Sequence, residues 1–140
     1  MIPERLLEVR EHNAPGYIPL IDYGAWRVAL MRGEEQYLPE NIHNLQKHLE
    51  TDEVFVLLSG RCILFLGEGD AAVTSIHAAE MESYKLYNVK KSCWHSHTFS
   101  ADALVIIVEN RDTTDANSPF VELTPDQRAE IVRLTHEAWQ

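Results

Sequence analysis

Apolar residues in this chain fall in short runs rather than at helical spacing until its C-terminal end. Trp26–Met31 alternates imperfectly and is rich in large side chains. Glu53-Val54-Phe55-Val56-Leu57-Leu58 is a near-continuous β-branched and aromatic run. Ser59-Gly60-Arg61 breaks it, and Cys62-Ile63-Leu64-Phe65-Leu66 follows. Two such runs parted by a short glycine-containing turn predict a β-hairpin. Gly67-Glu68-Gly69-Asp70 reads as the next turn, with weaker strands over Ala72–His77 and Ser83–Val89. Ala103–Val108 is apolar throughout, which predicts burial on both faces or a place at the centre of a closed sheet. Many short strands at close spacing predict an all-β barrel or sandwich, with its core at about residues 22–110.

The period changes after residue 123. Thr124-Pro125-Asp126-Gln127 carries a helix-start signature, with Thr as cap, Pro in the first turn and Gln closing a capping box. Ile131, Leu134, Thr135 and Ala138 then share one helical face, so an α-helix is expected at about 124–139, packed on the β-domain or on a second subunit. Pro3–His12 reads as a short helix stopped by Asn13-Ala14-Pro15-Gly16. Asn110–Ser118 is polar and reads as a loop.

Composition narrows the function classes. The chain has 140 residues, one domain's worth, so 1–140 is expected to form a single domain. Lys plus Arg is 12 and Asp plus Glu is 22, a net charge of −10. An acidic chain of this size repels phosphate backbones, which argues against nucleic acid as a partner. The 45% hydrophobic content suits a folded domain. The N-terminus has no signal-peptide apolar region and the apolar runs are too short to span a bilayer, so a cytoplasmic protein with no membrane partner is expected. Cys62 and Cys93 do not make a disulfide framework, and Cys62 reads as a small core residue.

The histidines carry the candidate chemistry. Gln46 and His48 are two residues apart and share a face if extended, as do His95 and His97. Glu53 follows Leu49-Glu50-Thr51-Asp52, a plausible turn, and a chain folded back there sets Glu53 beside His48. A closed barrel can bring both histidine segments to its interior. Two imidazoles and one carboxylate are the ligand set of a facial-triad metal site with positions left open for water or substrate. His43 is expected at the surface. Trp26, Tyr37, Tyr84, Tyr87, Trp94 and Phe99 supply aromatic walls for the core or the cavity.

Gln46-Lys47-His48, four residues, Glu53, six residues, Gly60 resembles the first signature of the cupins. In that family the pattern is Gly, His-x-His, three or four residues, Glu, six residues, Gly. This chain departs at the first His, which is Gln46, and at the leading Gly, where Glu40 stands. Of the second signature only the His survives, at His95. The resemblance implies a double-stranded β-helix, or jelly roll, with a central cavity. It implies His48, Glu53 and His95 as ligands of a divalent transition metal (Fe, Mn, Ni or Zn), with Gln46 as a possible fourth ligand through its amide oxygen. An amide oxygen is a neutral and weaker donor than imidazole. His97 is then the candidate acid or base, or a stand-in for the missing His.

The family spans dioxygenases, sugar isomerases and epimerases, and decarboxylases. The leading expectation is a small-molecule cupin with a metal in the barrel. One alternative is a non-catalytic module that binds a sugar or small acid at a decayed metal site. Another is metal-independent isomerisation with His and Tyr as acid and base. A thiol nucleophile at Cys93, with His95 as its base, is a lesser possibility. Strand edges and terminal segments of jelly rolls invite pairing, so a homodimer is expected.

Overall fold

The computed structural model describes residues 1–140. Ten strands run in chain order: β1 (Gly16–Tyr23), β2 (Trp26–Arg32), β3 (Asn44–Gln46), β4 (Glu53–Ser59), β5 (Cys62–Glu68), β6 (Ser75–Glu80), β7 (Leu86–Val89), β8 (Trp94–Phe99), β9 (Leu104–Asn110) and β10 (Phe120–Glu122). A single α-helix, α1 (Pro125–Ala138), follows them. The strands form two antiparallel five-stranded sheets, ordered β1-β2-β9-β4-β7 and β10-β3-β8-β5-β6. Their inner faces enclose a core of Ala29, Met31, Phe55, Leu57, Leu64 and Val105, with others around them. Burying each of the larger side chains stabilises the fold by about 2 kcal/mol.

A second cluster lies on the outer face of the β10-β3-β8-β5-β6 sheet. There Ile63, Phe65, Leu45 and Trp94 pack against Ile131 of α1. The capping box at the start of α1 is formed: Thr124 Oγ1 accepts from Gln127 N and Gln127 Oε1 accepts from Thr124 N. The Gln127 amide also donates to Val73 O at 2.7 Å, which ties the helix start to the sheet.

The expected β4–β5 hairpin is not a hairpin. β4 pairs with β7 and β9, and β5 pairs with β6 and β8, so the two runs lie in different sheets. Ser59-Gly60-Arg61 is the arch that carries the chain across. It lets Leu57 and Leu64 face each other through the core, which side-by-side pairing would not allow. A short glycine turn between apolar runs has the same sequence signature in both cases.

Other elements also differ from expectation. Pro3–His12 makes only one turn, closed by Leu6 N and Leu7 N on Pro3 O, because its apolar side chains have no surface of their own chain to pack on. The strand expected over Ala72–His77 begins at Ser75, because Gly69 (φ +113) and the Thr74 N to Glu68 O bond use the preceding residues as a turn. The strand expected over Ser83–Val89 is only Leu86–Val89, since Tyr84 takes φ +68. β9 sits in mid-sheet as expected, yet is not buried on both faces. Val105 and Ile107 enter the core, while Leu104, Ile106 and Val108 stay half-exposed on the outside. β1 begins ahead of residue 22, and β10 lies beyond residue 110. No helix is long and apolar enough to cross a membrane.

Gly60 holds φ +72, and a Cβ there would meet the Ala103 backbone at 2.6 Å. Gly60→Ala should therefore cost about 2 kcal/mol or more, read as a lower midpoint in urea unfolding with unchanged slope.

Candidate functional site

Two short turns place the central residues. Thr51 Oγ1 accepts from Asn110 N, and Asp52 accepts from Lys91 N and from the Asn88 amide. These bonds fix where β4 starts, and so where Glu53 enters. Period-two alternation then turns Glu53, Phe55 and Leu57 inward. Gln46 and His95 are paired across β3 and β8 and so share a face.

His48 and His95 converge on one atom. His48 Nε2 lies 3.2 Å from Glu53 Oε1, and His95 Nε2 lies 2.9 Å from the same oxygen. The two imidazole rings are 5.0 Å apart. All three side chains are buried, Glu53 to 6% exposure. Their outer nitrogens are held as well. His95 Nδ1 lies 3.0 Å from Cys93 O, a carbonyl that can only accept. His48 Nδ1 lies 2.7 Å from Ser118 Oγ, whose hydroxyl donates onward to Asn117 Oδ1. Each Nδ1 is thus engaged by an oxygen and each Nε2 faces Glu53 Oε1, as a donor to it when the ring is doubly protonated and as a free lone pair when it is not.

Three electron-rich atoms facing one point need a positive charge among them. A divalent ion supplies it, as does a proton on each ring. Ligand atoms on His48, Glu53 and His95 all lie within 4.8 Å of one another. Adjacent donors on a common ion with bonds of about 2.1 Å stand roughly 3 Å apart, so the spacing fits. The Nδ1 partners are the outer contacts that orient metal-bound histidines. Gln46 lines the same cavity, and both its hydrogen bonds run through Nε2, to Ser118 O and Asp115 Oδ1.

Behind Glu53 stands Glu109, which the sequence reading did not single out. It is paired with Arg27 across β2 and β9 and accepts from Arg27 Nη2 at 2.7 Å and from Tyr17 Oη at 2.8 Å. Burial, then the neighbouring Glu53, pushes its carboxyl up to about 7. Burial also works to raise Glu53, but hydrogen bonds from His48 and His95 hold it below the usual carboxylate range. Burial acts to lower His95, and the Glu53 carboxylate more than offsets that, leaving it raised. One carboxylate is thus held ionised while the other takes up its proton near neutral pH. The inward alternation of Val105 and Ile107 could have revealed Glu109, which follows at the same parity. Ser118 carries no such signal.

His97 shares the inner face with His95. It stacks on Phe99 at 4.8 Å, with Tyr37 and Phe55 around it, and its Nδ1 has no partner. Burial lowers it to about 4, so the ring is neutral at pH 7. His43 is exposed, at the rim of the cavity. Cys93 lines a separate apolar crevice with Leu64, Leu66 and Tyr87, and burial raises its thiol, which disfavours a thiolate nucleophile. Burial raises Cys62 too.

The cavity over the cluster measures about 510 Å³. Its walls are mainly polar, with Gln36, Asn41, Asn44, Gln46 and Thr114 among them. Arg27 is the one Lys or Arg that lines it, and four of its five N–H donors are engaged by Glu109, Arg111 O and Thr113 O.

His97 binds a proton in the unfolded chain below pH 6.5 and in the folded chain only near 4. The unfolded state then takes up more protons in that window, so stability should fall as pH drops through it, by about 3 kcal/mol in total. Chemical denaturation at several pH values checks this, and His97→Phe should flatten that part of the profile.

The sequence matches no protein-family model and no curated protein. Solved structures do share its fold. A tyrosine-to-phenylalanine variant of Streptomyces PAC13 with uridine is 13% identical, with a TM-score of 0.54 over 83% of this chain and 86% of that one. A second PAC13 structure, described as a unique nucleoside dehydratase, is 12% identical, with a TM-score of 0.54 over 83% and 87%. The capsular polysaccharide assembling protein CapF from Staphylococcus aureus is 15% identical, with a TM-score of 0.56 over 87% of this chain and 34% of CapF. This chain thus spans about a third of CapF. Two antiparallel sheets rolled around a polar cavity, together with these likenesses, identify the architecture: the chain has the cupin-type jelly-roll fold.

Proposed function

We propose that this chain is a metal-dependent enzyme acting on an uncharged polar small molecule, with His48, Glu53 and His95 as ligands of a divalent transition metal. The observation that carries the reading is the pair of Nε2 atoms set on Glu53 Oε1 while each Nδ1 is engaged elsewhere. Two imidazoles and a carboxylate suit Fe, Mn, Ni or Zn. Gln46 would add its amide oxygen as a weaker fourth donor. Such a metal, when bound, supplies Lewis-acid polarisation of a substrate oxygen.

The chain's own residues supply binding and proton handling. The amide side chains of the wall offer paired donors and acceptors for hydroxyl and carbonyl groups. Arg27 is the one Lys or Arg lining the cavity and spends four of its five N–H donors on Glu109, Arg111 O and Thr113 O, so phosphate and carboxylate groups find little counter-charge from the protein. Glu109 holds a proton close to neutral pH, fixed in place by Tyr17 and Arg27, beside a Glu53 that stays ionised. Two carboxylates with separated protonation states are the usual equipment of acid–base chemistry. Isomerisation or loss of water are the reaction types this favours. PAC13, described as a nucleoside dehydratase and solved with uridine, sets a precedent for ligand size in this fold. The free thiols Cys62 and Cys93 are compatible with a cytoplasmic setting.

A second reading has its own support. A proton on each Nε2 satisfies the same geometry without a metal, giving imidazolium groups paired with Glu53. The cluster then works as a metal-free acid–base relay.

Elemental analysis of protein purified without chelator or nickel resin separates the two. The metal reading expects close to one metal per chain and its loss in His48→Ala. Ser118→Ala, which frees the His48 ring, should weaken metal binding about tenfold or more. Sub-stoichiometric metal unchanged by His48→Ala would overturn the metal reading. Activity that survives chelation then selects the metal-free relay, and absence of any turnover selects a binding module.

Thermal-shift titration tests the ligand class. Uridine and comparable neutral polyols should bind the metal-free protein at least about tenfold more tightly than their monophosphates, because Glu53, Glu109 and Asp115 line the cavity and Arg27 is its one Lys or Arg.

A further inference from the structure

Strand register stacks the inward side chains in layers. The layer that holds the cluster is polar, with Arg27 paired to Glu109 and Gln46 to His95. In the layer beneath it, Ala29, Ile107 and Phe55 stand in line across β2, β9 and β4, and Leu64 stands beside His97 across β5 and β8. Among these five, His97 is the one polar side chain. The layer below that, with Met31, Val105, Leu57, Cys62 and Phe99, is apolar throughout.

An imidazole set among apolar side chains needs a partner, and the chain supplies none. Its Nδ1 is shut off from solvent and bonds to nothing. Phe99 covers one face of the ring, and the Tyr37 and Phe55 rings stand 5.3 and 5.9 Å away. His97 nevertheless borders the cavity, together with Met31, Tyr37 and Ile107. With Nδ1 closed off, the edge that reaches the cavity is the one carrying Nε2, which bonds to no other residue. A proton on Nδ1 would leave an N–H stranded against aromatic carbon, and orphaned buried donors are rarer than under-used acceptors. The proton therefore belongs on Nε2, which makes that nitrogen a donor aimed at the cavity floor.

We infer that His97 is a specificity-determining residue: its Nε2 donates to a carbonyl oxygen at the apolar end of a two-ended ligand, whose hydroxylated end lies under the amides and the His48–Glu53–His95 cluster. A hydroxyl on the floor could accept the same bond, but its own proton would then face Met31 and Ile107 without an acceptor. A carbonyl brings an acceptor alone. This deepens the small-molecule reading given above, on which it rests, and it does not require the metal.

Calorimetric titration with two synthetic ribosides tests the inference. They share the sugar, and the attached ring is either 2-pyridone, which carries one carbonyl, or phenyl, which carries no acceptor. The wild-type chain should bind the pyridone riboside at least about tenfold more tightly than the phenyl riboside, since a site built to hydrogen-bond a group rejects the analogue lacking it. His97→Phe keeps an aromatic ring and removes the donor, so it should abolish that preference. His97→Gln keeps an N–H donor and should retain part of it. Both variants should match the wild type in metal content, with circular dichroism as the control for folding. Equal affinity of the wild type for the two ribosides overturns the inference, as does no binding of either at millimolar concentration. A preference that survives His97→Phe also overturns it, and so does metal lost in both variants, because His97 would then serve the metal. A wild-type chain that holds no metal yet prefers the pyridone riboside supports this role for His97 while sinking the metal reading.

Discussion

Taking the Glu53 carboxylate out of water is the demand around which the rest of the molecule is arranged. An ion buried to 6% exposure loses several kcal/mol of hydration, even after relaxation of its surroundings. The loss is offset only by partners fixed in the right place. His48 comes from the turn before β4 and His95 from β8, 42 residues further along than Glu53. No local segment could bring both imidazoles to one oxygen. Rolling the two sheets over each other does so, and the apolar clusters on either side of β5 hold the roll shut. Site and architecture are thus one energetic problem.

The second carboxylate makes the arrangement asymmetric. Glu109 approaches Glu53 from β9, and two adjacent buried carboxylates cannot both be ionised at modest cost. The imidazoles settle which one is. Glu53, with two of them, keeps its charge; burial and the Glu53 carboxylate outweigh Arg27 and Tyr17 and push Glu109 up to about 7. Arg27 in turn grips Arg111 O and Thr113 O, so the loop after β9 is tied to the same electrostatic group. Ser118, further along that connection, holds His48. The cavity wall and the buried acid are therefore coupled through hydrogen bonds rather than simply adjacent.

Much of this was legible in the chain, for reasons that differ by element. Strands β4, β5 and β9 were visible as apolar runs bounded by turn residues, although only alternate positions of β4 and β9 are buried, and α1 because its capping box is a local device. His48, Glu53 and His95 were visible through spacing and through the cupin-like pattern that shares them. The β4–β5 connection was misread because pairing partners are decided by distant strands, and β7 and β9 already flank β4. β10 was missed because three residues carry no period. Pro3 at a first helical position and the helix formers Leu6, Leu7 and Arg10 predicted a helix over Pro3–His12, yet a helix of that length needs a surface to lie on. Ser118, Tyr17 and Arg27 owe their roles entirely to tertiary contact, and a serine in a polar loop looks like any other.

All ten strands precede α1 in the chain, and that order has a consequence for how the protein is made. Ile63, Phe65 and Trp94 lie in strands that emerge from the ribosome well before the helix that shelters them. Until Ile131 docks, a nascent chain displays an oily sheet surface in a crowded cell, and that is the state most open to sticking or to capture by a chaperone. Arg61 helps end the exposure: its guanidinium lies over Trp139 and donates to Ala138 O, latching the far end of the helix once it arrives.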